Sequence, residues 1–163
     1  DTHTDRAIDD RPLRQIFDED LLPFAVAIEV GARAVMMGHV EYPQAAPEAA
    51  GYSRFWIREV LRRGLGFRGV VVSDDIGMTA GAHIGAVLER LGRHAQAGCD
   101  LILACAPELA GPSVDAARSI GWSHGAAVAR RLRGHPRAGL LRARERSNWA
   151  GELARLADWL APV

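Results

Sequence analysis

Lysine is absent: all twenty basic residues are arginine, set against twenty acidic residues, so the formal charge balances at zero. That balance removes any global pull toward nucleic acid or an anionic membrane surface. An all-arginine set reflects the coding bias of a GC-rich genome, although arginine also suits bidentate contacts. Cysteine is scarce, with only Cys99 and Cys105 present. They flank an apparent buried strand, where cysteine behaves as a small hydrophobe. Their spacing along a strand spans roughly 20 Å, too far for a disulfide, so a reducing cytoplasm is the expected location. No apolar run approaches the roughly 20 residues of a membrane span, and no signal-peptide pattern opens the sequence. Internal repeats and low-complexity tracts are missing too. His124 and His135 lie in Gly/Pro-rich turns without metal-ligand spacing. The Gly64/Gly66 and Gly81/Gly85 pairs do not form a phosphate-binding fingerprint. No metal or organic cofactor is implied.

What is present is one domain's worth of chain, 163 residues with 48% apolar side chains, enough to bury a core. Its organising stretch is Gly69–Met78, reading Gly-Val-Val-Val-Ser-Asp-Asp-Ile-Gly-Met. Three β-branched residues in succession, Val70 to Val72, suit a strand covered on both faces, as in a parallel sheet. The run stops at Ser73-Asp74-Asp75, which puts acidic side chains at the strand's carboxyl end, where α/β folds gather catalytic residues. For a single Asp there, the cap of a following helix is the first reading. Two adjacent Asp residues leave room for both roles, one capping and one facing the sheet mouth.

Around this stretch the pattern alternates. Asp1–Asp10 is polar and reads as a loop. From Pro12 to Val30 apolar residues recur at helical spacing, with Asp9 or Asp10 and Pro12 as start, Gly31 as stop and Pro23 as the break. Ala34–Met37 is a short strand ending at Gly38-His39-Val40, which sets His39 level with Asp74 if the strands are parallel. Glu41–Gly51 is a loop. Ser53 through Arg63 is helical, with Phe55, Trp56, Val60 and Leu61 inward. Thr79–Gly98 is helical, with Ile84, Val87, Leu88 and Leu91 on one face. Leu101–Ala106 is a third strand. Val114–Ile120, Ala126–Leu132 and an amphipathic Ser147–Leu160 complete a helical C-terminal region. The seven arginines from Arg130 to Arg146 read as a solvated face, since no aromatics interleave them; no nucleic acid partner is expected. Strands alternating with helices across short connections follow the grammar of a parallel α/β sheet.

Four segments carry a family resemblance. Gly69–Met78 is similar to G-V-[IV]-[FV]-S-D-D-L-x-M. Gly38-His39-Val40 is similar to A-H-V, Trp56–Val70 to W-[LI]-x-x-x-L-R-x-x-L-G-F-x-G-V, and Ala97–Leu103 to A-G-[CN]-D-[ML]-[IL]-L. Together they resemble the family 3 glycoside hydrolases, and within them the NagZ-like bacterial β-N-acetylhexosaminidases, over about residues 34–106. That resemblance implies the last three βα units of a TIM (β/α)₈ barrel, incomplete in this chain. It implies a retaining glycosidase acting on terminal β-linked N-acetylglucosamine, as in peptidoglycan turnover fragments, with Asp74 as nucleophile. His39 and Met78 would line the sugar pocket. In the family an upstream loop, K-H-F-P-G-H-G-D-T-x-x-D-S-H, supplies an Asp/His acid/base dyad. Here Asp1-Thr2-His3-Thr4-Asp5 matches its D-T-x-x-D, while Ala7 stands where the His is expected. The Asp-x-His at Asp1 and His3 is the candidate for a slipped dyad.

Two further functions stand beside the glycosidase. One is a catalytically impaired remnant that only folds or associates, to which Ala7 and the missing upstream strands point. The other is a flavodoxin-like module binding a ligand at its strand ends. Open edges on a parallel sheet also favour self-association.

Overall fold

The computed structural model describes residues 2–78 and 84–133. The chain divides after Leu132 into two units, and the elements below belong to the first. Asp1, Thr79 to His83, His135 and the Ser147–Leu160 segment lie outside the described residues.

The centre is a three-stranded sheet of β2 (Ala34–Met37), β4 (Val70–Asp75) and β5 (Leu101–Leu103) in the order β2-β4-β5. Both pairings are parallel, as the alternation of strands and helices predicts. Val70, Val71 and Val72 are buried in the middle strand, where β-branched side chains pack well on a pleat covered on both sides. The register runs Ala34↔Val70 through Met37↔Ser73, so His39, just after β2, and Asp74, near the end of β4, lie at the same edge.

Helix α3 (Phe55–Gly64) crosses from β2 toward β4, and α4 (Val87–Ala97) from β4 to β5. The turns of α3 are wide, of the i→i+5 kind, and it begins two residues after the expected Ser53. Its Trp56, Ile57, Val60 and Leu61 are buried against Val71, Phe67, Ala97 and Cys99. Phe55, expected inward with them, is only partly buried. Gly69 starts β4 because nothing larger fits: a Cβ there would lie 2.5 Å from the Arg33 carbonyl oxygen and 2.5 Å from the Phe67 ring. At the same end Asp100 clasps β4. Its Oδ2 accepts the Val71 N–H at 2.8 Å and the Arg62 guanidinium at 2.7 Å, while its own N–H donates to the Val71 carbonyl at 2.7 Å.

Several boundaries differ from the sequence expectations. Residues 1–10 are not all loop: β1 (Ala7–Ile8) pairs in parallel with β3 (Val40–Glu41), which likewise takes Glu41 out of the expected Glu41–Gly51 loop. Both strands are too short and mixed to show a period, and they exist through each other and through Arg6, whose Nε and Nη2 meet the Glu41 carboxylate at 2.9 and 2.6 Å. Between Pro12 and Val30 the helix changes register at Leu21 rather than at Pro23. Short α1 (Leu13–Gln15) runs into a wide turn over Ile16–Asp20, and α2 (Leu22–Glu29) follows. Pro23 occupies the first turn of α2, where its missing N–H costs nothing. Of the expected start signals Asp9 or Asp10 with Pro12, Pro12 is the N-cap, neither Asp caps α1, and Asp9 binds Arg11 at 2.7 Å. Helix α4 begins at Val87, with Ile84 ahead of it, and Leu88 is exposed while Leu91 is buried. Helix α5 (Pro107–Ser119) starts seven residues before the expected Val114, with Pro112 inside it, and α6 (Gly125–Leu132) lies where predicted. Strand β5 is shorter than Leu101–Ala106, ending at Leu103. Cys99 and Cys105 are both free thiols, one buried and one exposed. Among the described residues no helix is long and apolar enough to cross a membrane.

Candidate active site

Asp74 and Asp75 end the central strand, and both side chains are half-buried. Their surroundings differ. The Asp75 Oδ1 accepts the Gly77 N–H at 3.0 Å and the Cys105 N–H at 2.9 Å, which closes the turn after β4 and ties it to the chain beyond β5. The Asp74 carboxylate accepts a local bond, from the Asp75 N–H at 2.9 Å. Ser73 sets this arrangement. It is fully buried, its Oγ donates to the Asp74 carbonyl at 2.7 Å and accepts the Leu103 N–H at 3.0 Å, and it bridges β4 to β5 where their pairing shifts register. The Ser73 hydroxyl thus helps join the two strands, while among the described residues the Asp74 carboxylate takes no cross-strand partner.

His39 follows β2 on the neighbouring side, and its imidazole is 1% exposed. The ring stacks on Tyr52, with centroids 5.2 Å apart, and its Nε2 lies 3.2 Å from His94 Nε2. His94 in turn places Nδ1 at 2.8 Å from the Gly51 carbonyl, with its ring 4.1 Å from that of Tyr52. Gly51 permits this approach: its N–H donates to the Gly38 carbonyl at 2.9 Å, and a Cβ would stand 3.0 Å from His94 Cε1. Burial, then the neighbouring His39, lower the His94 pKa to about 3, against a smaller upward pull from the Gly51 carbonyl. Burial likewise raises Tyr52 to about 12 and, with Asp100 adding to it, Cys99 to about 12. Burial thus favours the neutral forms of His94, Tyr52 and Cys99.

The remaining expected residues are placed as follows. Met78 is buried just beyond the turn that Asp75 closes. His3 is exposed in the turn before β1, and Asp1 lies outside the described residues. Ala7 pairs with Val40, and continuing that register sets Arg6 level with His39. The residues just before β1 thus lie beside His39. An apolar cavity of about 150 Å³ lies elsewhere, between Leu21, Phe24, Val35 and Trp56, and contains neither Asp74 nor His39. Among the described residues no group of three or more His, Cys, Asp or Glu side chains could hold a metal ion.

His94, Tyr52 and Gly51 were not singled out by sequence. His94 sits on the inward stripe of α4 with Val87 and Leu91, at i, i+4 and i+7, and that spacing was the available signal. A histidine on an apolar stripe does not by itself name its partner.

Residues 1–120 match the family model described as the glycosyl hydrolase family 3 N terminal domain. A beta-hexosaminidase from Xanthomonas oryzae pv. oryzae is 57% identical over 116 residues, covering 71% of this chain and 35% of the relative. One from Stenotrophomonas maltophilia is 58% identical over 109 residues, covering 67% and 32%. The chain thus spans about a third of the length of the curated relatives it matches. Among solved structures, NagZ from Neisseria gonorrhoeae in complex with N-trifluoroacetyl-D-glucosamine superposes with a TM-score of 0.66 at 34% identity, covering 82% of this chain and 38% of that one. CbsA from Thermotoga neapolitana superposes with a TM-score of 0.70 at 29% identity, covering 80% and 31%. With the parallel sheet and the Ser73-Asp74-Asp75 edge in place, the match over residues 1–120 identifies this chain as a member of the glycosyl hydrolase family 3 N-terminal domain family.

Proposed function

We propose that the chain contributes the nucleophile half of a retaining β-N-acetylhexosaminidase, with β2, β4 and β5 as the last three strands of a (β/α)₈ barrel. The observation that carries this reading is the contrast at the end of β4. Among the described residues Asp75 is held by two backbone amides from separate segments, whereas the Asp74 carboxylate takes one bond from its own neighbour. A nucleophile must keep an oxygen available for attack. In the first step an Asp74 oxygen bonds to the anomeric carbon and the bond from that carbon to the leaving oxygen breaks, with a proton delivered to the leaving group. In the second, water displaces Asp74 and returns the proton. Asp1 and His3 are the candidates for the acid/base, and His39 and Met78 belong to the walls of the sugar site. The relatives' names support a β-linked N-acetylhexosamine substrate, and peptidoglycan turnover in the cytoplasm is the setting that suits it. No cofactor is required by this chemistry. The edges of β2 and β5 would pair with further strands, including those of a second copy.

A catalytically impaired remnant is the second reading, and Ala7 favours it, since a methyl group transfers no proton. The 163-residue chain by itself is expected to hydrolyse aryl N-acetylglucosaminides far below the roughly 1–10³ per second of ordinary enzymes. The deciding experiment moves residues 34–106 into the Xanthomonas oryzae beta-hexosaminidase in place of its matching segment. A 2-fluoro or 5-fluoro glycosyl reagent should then label Asp74. A label on Asp75, or a folded chimera without hydrolysis, would overturn the proposal.

A further inference from the structure

The proposed reaction makes no use of His94, although the residue is buried beside the site. Its Nδ1 is 2.8 Å from the Gly51 carbonyl oxygen, and a carbonyl only accepts, so the His94 proton belongs on Nδ1. The Cys99 sulfur, 3.8 Å from the same nitrogen, is a weak competitor. In this enclosed neutral ring Nε2 therefore bears a lone pair and no hydrogen. His39 Nε2 faces that lone pair at 3.2 Å. Two bare nitrogens at that distance repel, so the hydrogen in the contact must come from His39. When the His39 ring carries one proton, this contact holds it on Nε2, and Nδ1 is then the acceptor.

We propose that His94 is a positioning residue that, anchored by the Gly51 carbonyl, locks His39 in the Nε2–H tautomer. Sugar hydroxyls and the acetamido N–H are hydrogen-bond donors, and a wall histidine meets them best with a fixed acceptor. That consequence rests on the glycosidase reading; the tautomer itself does not. Tyr52 stacks against both rings and keeps their planes in place, but it cannot choose between the tautomers, because stacking is indifferent to which nitrogen carries the proton.

The test is ¹⁵N–¹H long-range correlation spectroscopy on the 163-residue protein. His39 should show a protonated Nε2 and a bare Nδ1, and His94 the reverse. His94→Gln keeps an acceptor and a donor in the same places and should hold His39 as it is. His94→Leu removes the acceptor and should let His39 populate both tautomers. A role in packing alone would leave the His39 pattern unmoved in a folded His94→Leu protein, and that outcome would sink the proposal. So would a proton on His39 Nδ1 in the unmutated protein, a measurement that stands even if the leucine variant does not fold. In the chimera, His94→Leu should raise KM about tenfold with a smaller change in kcat, as expected for one mis-set hydrogen bond. If the tautomers are as stated and the chimera hydrolyses nothing, the glycosidase reading fails and the relay stands.

Discussion

The two ends of β4 treat acidic side chains in opposite ways. At the amino end Asp100 spends its carboxylate on the fold, joining Val71 and Arg62. At the carboxyl end Asp75 does the same for the turn, while among the described residues the adjacent Asp74 carboxylate accepts only the amide next to it. One strand thus carries a stabilising edge and an edge with an acid in reserve, the division seen between the faces of α/β barrels. Residue type does not separate the two, since all three are Asp. What separates them is whether a neighbouring segment delivers an N–H or a guanidinium to the carboxylate.

The largest expected effect breaks the comparison at its carboxyl end. Asp74→Ala in the chimera should leave a folded protein with kcat down by about 10³-fold or more, measured on aryl N-acetylglucosaminides. Acid sensitivity comes next, and asks whether the carboxyl edge also depends on a buried base. His94 has a folded pKa lowered to about 3 from 6.5, so between those values the unfolded chain binds a proton that the folded one refuses. Stability should be fully present above pH 6.5 and should fall as pH drops toward 3, by at most about 1.4 kcal/mol per unit. Urea midpoints read across pH would show it, and His94→Gln should flatten the slope. An unchanged slope would mean that another group controls the acid limb. At the amino end, Asp100→Ala should cost about 1–3 kcal/mol, because Val71 N–H and Arg62 lose a charged acceptor, and should leave the chimera's KM in place. The smallest effect belongs to Asp75→Ala, about 0.5–2 kcal/mol by thermal melting, comparable to losing a helix cap, with a minor loss of rate. A larger rate loss there than for Asp74→Ala would reverse the assignment of the two carboxylates.

Much of this fold was legible where the determining forces are local. Val70–Val72 could be read as a buried parallel strand because three stiff β-branched side chains suit no other buried element as well. The inward stripe Trp56, Val60 and Leu61 followed from helical period. Helix α4 ends one residue before the expected Gly98, which instead caps it at φ +119°, a conformation that costs glycine little. The break in the first helix was misplaced because Pro23 reads as an interruption, yet it sits where a helix accepts proline. Strands β1 and β3 were missed because two-residue segments carry no pattern and are held by pairing and by the Arg6–Glu41 bridge across 35 positions.

The candidate site divides along the same line. The order of residues alone put Ser73, Asp74 and Asp75 at the end of a strand and His39 level with them, since a parallel register carries that information. The resemblance already singles out Asp74; the tertiary structure adds that the Cys105 amide reaches the Asp75 carboxylate. Only the tertiary structure joined His39 to His94 across 55 residues and Tyr52 to both. Local sequence sets backbone preference and side-chain period, which act over a few residues. Hydrogen-bond partners and tautomers depend on which distant groups the closed chain delivers, and that is decided only when the helices have packed on the sheet.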